Sequence, residues 1–268
     1  MKILLTNDDG IDAKGLLALA EAIPADVETL IAAPLKPSSA SGHSISLRRS
    51  IRATEVKWEK GRKAFAIDGT PVDCVKFAFA KLEFRPDIIF SGVNLGPNTG
   101  VSVFYSGTVS AAREGLFTGA PSVAISMAAH ECDDFEPAIE FIKKFIDYHK
   151  THPLPRDIML NVNIPVRPLR SIKGVKITRQ APSRFVENFM TVANTEHGTY
   201  QLSGAIELLE PDGTSDEEAI LEGFISVTPL HIDLTAYHEM EFLRRWYQPI
   251  STSKNRKLKN ARNPFKLY

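Results

Sequence analysis

The chain has little sulfur, no net charge and no long apolar run. Only two of its 268 residues are cysteine, Cys74 and Cys132, far apart and without C-x-x-C spacing. This excludes a disulfide framework and predicts a reducing compartment. Lys and Arg balance Asp and Glu at 32 each, so the whole chain carries no signal for nucleic acid or membrane surfaces. No stretch approaches the ~18–20 continuous apolar residues of a membrane span. Met1-Lys2 leads straight into Ile3-Leu4-Leu5, without the basic-then-apolar pattern of a secretory leader. A soluble cytoplasmic protein is expected, with neither nucleic acid nor membrane among its partners. Internal repeats and low-complexity segments are absent. The run G-x-x-x-x-G-K-(S/T) does not occur, which argues against a P-loop NTPase.

What is present is an alternation of apolar runs with helical patterns over residues 1–165. The expected strands are Ile3–Thr6, Val27–Ala33, Asp87–Ser91, Ser122–Ser126 and Ile158–Val162. The expected helices are Lys14–Ile23, Pro71–Phe84, Thr108–Phe117 and Phe135–Lys150. Such alternation predicts βαβ units and a mostly parallel sheet with helices on both faces. Thr70-Pro71-Val72-Asp73 reads as a helix start, with a capping Thr, Pro at the first helical position and Asp completing a box. Residues 166–268 change character. Shorter β-branched segments follow at Val175–Thr178, Tyr200–Leu209 and Phe224–Thr228, with a turn at Pro211-Asp212-Gly213. A helix is expected at Glu239–Trp246, before a basic tail that ends near Phe265 and Tyr268. That tail reads either as a disordered terminus or as a segment that docks on a neighbouring subunit.

Four loops after expected strands carry chemistry. The first is Asn7-Asp8-Asp9-Gly10. Two adjacent anions repel unless a cation lies between them, and paired carboxylate oxygens suit Mg²⁺ or Mn²⁺. Taken alone, the pair fits a solvated turn whose Asp caps the next helix better than a metal site, because turn carboxylates are common. In the second, Pro34–Leu47, Ser39 offers a hydroxyl to a metal, and Ser41 or His43 offers a substrate contact. The third, Ser91–Gly100, brings Asn94 and Asn98, whose carbonyls suit a hard cation and whose amides suit phosphate. The fourth, Tyr105–Ala112, leads small and hydroxyl residues into a helix. Its free amides and helix dipole make an anion site, with Ser106 and Thr108 as further donors, although either hydroxyl also serves as a simple cap.

At these residues the chain closely resembles the SurE family of metal-dependent nucleotidases. The matching pieces are N-D-D-G at Asn7–Gly10, the Ser-rich loop around Ser39, and D-G-T-P-x-D-C-V at Asp68–Val75. They continue with S-G-x-N-x-G-x-N at Ser91–Asn98 and Y-S-G-T-V-x-A-A at Tyr105–Ala112. They occur in family order and span most of the first 115 residues. The C-terminal half matches mainly in length and character.

The resemblance implies a three-layer α/β/α, Rossmann-like catalytic domain over 1–165. It also implies a smaller β-rich oligomerisation extension over 166–268 that exchanges elements between subunits of a homodimer or homotetramer. It implies a phosphomonoesterase (5′-nucleotidase) acting on nucleoside 5′- and 3′-monophosphates and trimming polyphosphate in some members. It places the ligands of one divalent ion per subunit on Asp8, Asp9, Ser39 and Asn94, and phosphate contacts on Asn94, Ser106, Gly107 and Thr108. Ser41, His43 and Asn98 are expected substrate contacts.

The ion held by Asp8 and Asp9 would polarise a phosphoryl oxygen and acidify a water. Direct attack by that water is expected, because no separate Asp-x-Asp nucleophile pattern occurs. Whether Asp8, Asp9 or a metal hydroxide takes the proton is left open. Two other classes share parts of the pattern. A phosphoryl-receiver signalling domain needs a further Asp after a central strand, where this chain offers Ser39 and Asn94. A non-catalytic nucleotide-binding module would need the phosphate loop but not the Asp pair.

Overall fold

The computed structural model describes residues 1–192 and 198–247. The expected tail and its Phe265 and Tyr268 lie outside the described residues. In chain order the elements are β1 (Lys2–Thr6), α1 (Lys14–Ala22), β2 (Glu28–Pro34), β3 (Ala53–Val56), β4 (Lys63–Ile67), α2 (Pro71–Ala80), β5 (Ile88–Leu95), α3 (Gly107–Phe117), β6 (Ser122–Met127), α4 (Glu136–Thr151), β7 (Met159–Ile164), β8 (Val175–Ile177), β9 (Ser183–Thr191), β10 (Tyr200–Leu208), α5 (Asp216–Glu222), β11 (Ile225–Leu230) and α6 (Tyr237–Tyr247).

Nine strands form one sheet in the order β3-β4-β2-β1-β5-β6-β7-β11-β8, and β9 and β10 form a separate two-stranded pair. Strands β4, β2, β1, β5, β6 and β7 run parallel, β3 runs antiparallel to β4, and β11 runs antiparallel to β7 but parallel to β8. The buried strands are near-continuous apolar runs because both faces are covered. Alternation along β1 sorts its side chains: Ile3 and Leu5 join the cluster with Leu16, Leu19 and Ile142 of α1 and α4. Leu4 joins the cluster with Cys74, Val75 and Ala111 of α2 and α3. This is the expected α/β sandwich, a mostly parallel sheet between two helical layers.

The order reverses at β1, since the chain winds outward through β2 and β4 and then returns to the other side of β1 as β5. Ligands bind outside the carboxyl ends of strands at such a switch point. The loops after β1, β2, β5 and β6 open at this edge.

Several elements differ from expectation. The strands β3, β4 and β9 and the helix α5 were not expected. Strand β5 runs on to Leu95, with a register shift against β6 between Ser91 and Asn94, so Asn94 sits on a bulged strand end rather than in a free loop. The expected boundary at 165 crosses the sheet, because β7 lies before it while β8 and β11 lie after it. The chain divides into one compact unit over Met1–Ile232 and a second over Asp233–Tyr268. Within the second, α6 exposes Tyr237, Phe242 and Trp246. No helix among the described residues is long and apolar enough to cross a membrane.

The start of α2 shows how a local signal fixes the neighbouring loop. The Thr70 hydroxyl accepts from the Asp73 amide at 3.1 Å, and the Asp73 carboxylate accepts from the Thr70 amide at 2.9 Å. The same hydroxyl donates to the Ser44 carbonyl at 2.8 Å, tying down the Ser-rich loop. Thr70→Ala is expected to lower stability by about 1–2 kcal/mol in urea unfolding, the usual cost of a lost cap.

Candidate functional site

The turn after β1 is built by Asn7. Its amide group donates to the Gly10 carbonyl at 2.9 Å, and its side-chain oxygen accepts from the Gly10 amide at 3.2 Å. Gly10 has φ of +103°, a conformation L side chains rarely adopt. This closed turn keeps Asp8 and Asp9 at one place on the sheet edge. The Asp8 carbonyl also accepts from the Ser38 amide at 2.7 Å, which brings the loop after β2 alongside.

Asp8 is buried, and its carboxylate meets the N-terminus of α3. The Thr108 hydroxyl donates to its Oδ1. Burial pushes the Asp8 carboxyl up, while the Thr108 hydroxyl and the amides of Thr108 and Gly107 pull it back down. Asp9 is half-buried beside it; burial and then the Asp8 charge push its pKa up to about 6. Two adjacent desolvated carboxylates, Asp9 raised further by the Asp8 charge, are an anion pair without a counter-charge. Gly107 makes the approach possible, because a Cβ there would stand 2.8 Å from the Asp8 carboxylate and 2.9 Å from Ser41 Oγ.

A cleft of about 280 Å³ opens at this edge. Asp8, Asp9, Ser39, Asn94, Asn98 and Ser106 line it, so residues from four separate loops converge as expected. Asn94 donates its amide group to the Gly96 carbonyl at 2.7 Å, a bond that does not use its Oδ1. Ser106 caps α3 by accepting from the Val109 amide at 3.1 Å and retains its hydroxyl proton as a donor. Asn98 is fixed by buried asparagines of β7: its amide donates to Asn163 Oδ1 at 2.8 Å, and its carbonyl accepts from Asn161 at 2.7 Å.

Four expected site residues do not line the cleft. Thr108 is fully buried and its hydroxyl is committed to Asp8. Gly107 lies behind Asp8 as a spacer. Ser41 Oγ is buried without a hydrogen-bond partner, next to Asp8 and Gly107. His43 is engaged elsewhere: its Nε2 lies 3.0 Å from Glu114 Oε2 and its ring packs edge-on against Phe117. Glu114 is 3% exposed and also binds Lys76 Nζ at 2.6 Å. Burial works to raise the Glu114 carboxyl, but its hydrogen bonds with His43 and Lys76 outweigh it and hold it below the ordinary range. Three further side chains with polar groups line the cleft and were not read as site residues from sequence: Ser102, Tyr105 and His130. His130 follows β6, and the rule that sites form outside strand carboxyl ends was the signal for it.

The donor set fits a hard divalent ion. Among the described residues no group of three or more His, Cys, Asp or Glu is placed to hold a metal. The Asp pair would therefore be completed by neutral oxygens, and Asn94 Oδ1 and the Ser39 hydroxyl share its cleft. The buried Ser41 hydroxyl, beside Asp8 and Gly107, is a further unpartnered polar atom in this corner.

Comparison with known proteins agrees with the fold. The model of the family described as "Survival protein SurE" matches residues 3–187. A 5′-nucleotidase SurE of Carboxydothermus hydrogenoformans is 40% identical over 257 residues, covering 93% of this chain and 97% of the relative. A 5′-nucleotidase SurE of Moorella thermoacetica is 43% identical over 241 residues, covering 88% of this chain and 92% of the relative. The crystal structure of the SurE protein from Aquifex aeolicus superposes with a TM-score of 0.78 at 35% identity, covering 92% of this chain and 99% of that one.

The raised Asp9 carboxyl has a sign that can be measured. Its pKa is about 6 in the fold against an ordinary 3.8, so the folded state binds the proton more tightly than the unfolded chain. The metal-free protein is then relatively most stable below the unfolded value, and it loses stability as pH rises through about 6. Unfolding midpoints in chelator across this range should show that loss, and Asp9→Asn should flatten it.

Proposed function

This chain belongs to the SurE family, and from that premise we propose that it is a metal-dependent 5′-nucleotidase that hydrolyses nucleoside monophosphates to nucleoside and phosphate. The observation that carries the reading is the convergence of a desolvated Asp pair with the N-terminus of α3 in one cleft. The relatives' activity names the reaction, and the site supplies the groups it needs. A wider range over 3′-nucleotides and polyphosphate belongs to the same proposal.

In this reading Asp8 and Asp9 hold one divalent ion, Mg²⁺ or Mn²⁺, with Ser39 and Asn94 as neutral ligands. When bound, the ion supplies Lewis-acid charge beside the phosphoryl oxygens and acidifies water. Thr108 orients the Asp8 carboxylate through its hydroxyl. Ser106 donates its free hydroxyl proton to a phosphate oxygen, and the positive end of the α3 dipole favours the substrate dianion. Burial first, and then the adjacent Asp8 charge, raise the Asp9 carboxyl, and a bound cation would offset the two charges. Asn98, fixed from β7, and Asn94 border the substrate across the cleft. Tyr105 and His130 stand at the same cleft as candidate nucleoside contacts.

The test is phosphate release from AMP with Mn²⁺, with Mg²⁺ and with chelator. Turnover should appear with metal and vanish in chelator. Asp8→Asn removes a charge without changing volume, and should lower kcat/KM by about a hundredfold or more while the protein stays folded. AMP bound without turnover under every metal would leave the binding-module reading instead.

We also propose that residues 166–268 serve subunit pairing, in a homodimer or homotetramer. The β9–β10 pair stands apart from the main sheet and exposes Val186, Phe189, Met190, Tyr200 and Leu202. Apolar side chains gathered on such an arm mark an interaction surface. Phe189→Asp combined with Leu202→Asp should lower the mass seen by light scattering, and an unchanged mass would contradict this role.

A further inference from the structure

The phosphate turn of this molecule is not held by its own neighbourhood alone. The chain enters it through a 3₁₀ turn, Gly100–Phe104. The Ser102 carbonyl of that turn accepts from the Ser106 amide at 3.1 Å and from the Tyr105 amide at 3.1 Å. Where Gly100 and Val101 sit therefore decides where Ser106 begins α3.

Three backbone groups at the start of this turn find partners from a distant segment. The Gly100 amide donates to Asp216 Oδ2 at 3.1 Å, across 116 residues of sequence. The Gly100 carbonyl accepts from Gln180 Nε2 at 2.7 Å. The Val101 amide donates to Ser183 Oγ at 2.9 Å. Asp216 itself is fully buried. Its other oxygen accepts from the Ala181 amide at 3.0 Å and the Glu217 amide at 2.9 Å, so it clamps the 180–183 segment and Gly100 together. No contact with the cleft explains a charged side chain at this depth. A carboxylate oxygen is acceptor-only and suits converging amides, and a charged group is rarely fully buried unless paired.

We infer that Asp216, with Gln180 and Ser183, is a positioning residue for the phosphate-binding turn, acting through Gly100 and Val101. The inference rests on the reading above that Ser106 and the start of α3 receive the phosphate. It assigns to the segment beyond 165 a role in turnover within its own subunit, separate from subunit pairing. Asp216→Asn offers one acceptor and one N–H₂ group, so either Gly100 or Ala181 faces a donor with a donor. Ser183→Ala is the milder variant, since it removes the acceptor of the Val101 amide and a hydroxyl that meets the Glu217 carboxyl but leaves the Asp216 clamp intact.

The experiment compares full-length wild type, Asp216→Asn and Ser183→Ala well below their unfolding midpoints. Three readouts are taken: amide exchange at Gly100 and Val101, the calorimetric Kd of inorganic phosphate with Mn²⁺, and kcat and KM for AMP. Amide exchange should accelerate at the residue whose acceptor is lost. The phosphate Kd should rise and kcat/KM should fall by about tenfold, the scale expected of a displaced binding group. Loss of stability alone leaves the phosphate Kd and kcat/KM of the folded protein unchanged, and it speeds exchange across the core rather than selectively at Gly100 and Val101. If Asp216→Asn does not fold, Ser183→Ala carries the test. Unchanged exchange, or faster exchange with wild-type Kd and kcat/KM, overturns the inference. A wild type that binds phosphate but never turns over AMP would instead sink the reaction, and the phosphate affinities would still decide the anchoring.

Discussion

The Asp8 carboxylate against the N-terminus of α3 is the contact on which the site depends. It joins the end of β1 to the helix that follows β5, two elements on opposite sides of the topological switch. Thr108 supplies the hydroxyl, Gly107 supplies the space and the helix amides supply partial positive charge. The contact stabilises an anion where desolvation opposes one, but it satisfies only one of two adjacent carboxylates. Asp9 remains raised, to about 6, because its nearest strong influence beyond burial is another anion. The corner is thus built with a deficit of positive charge. A divalent cation is the simplest group that removes it.

The surrounding loops are held so that this deficit stays in one place. Asn7 closes the β1 turn on Gly10. The Ser-rich loop is fastened at Ser38 to Asp8, at Gly42 to the Tyr105 carbonyl, and at His43 to Glu114. Lys76 completes the charge balance around Glu114. Ser39 and Ser41 are therefore carried on a loop pinned at several points, although its composition alone suggests freedom. On the far side, β7 asparagines and the 180–183 segment hold the chain from Asn98 to Val101.

Much of this was legible in the sequence. The strands β1, β2, β5, β6 and β7 are apolar runs because they are buried on both faces, and the helices between them follow from the same alternation. Strand β3, A-T-E-V, is a short half-exposed edge with no such run, and β4, K-A-F-A-I, is brief and alanine-rich. Strand β9 is exposed along most of its length, so no buried face imposes a pattern. Helix α5 has only seven residues, too few for periodicity, yet its capping box of Ser215 and Glu218 was a readable start signal. The site residues stood out because Asp, Ser and Asn clustered after strands. Their division of labour did not: a helix-start hydroxyl such as Thr108 reads the same whether it binds a ligand or a carboxylate. His43 had no local mark of its partner, since Glu114 lies 71 residues away. Asp216 was invisible for the same reason.

The central claim is that the Asp pair, the β5 end and the start of α3 form a single cation and phosphate site. Anomalous diffraction from crystals grown with Mn²⁺ and inorganic phosphate tests it most directly. The account predicts one strong peak per subunit in contact with Asp8 and Asp9, with Asn94 Oδ1 as a neutral ligand and phosphate against Ser106. A peak elsewhere, or phosphate bound away from α3 with no ion at the Asp pair, would contradict it.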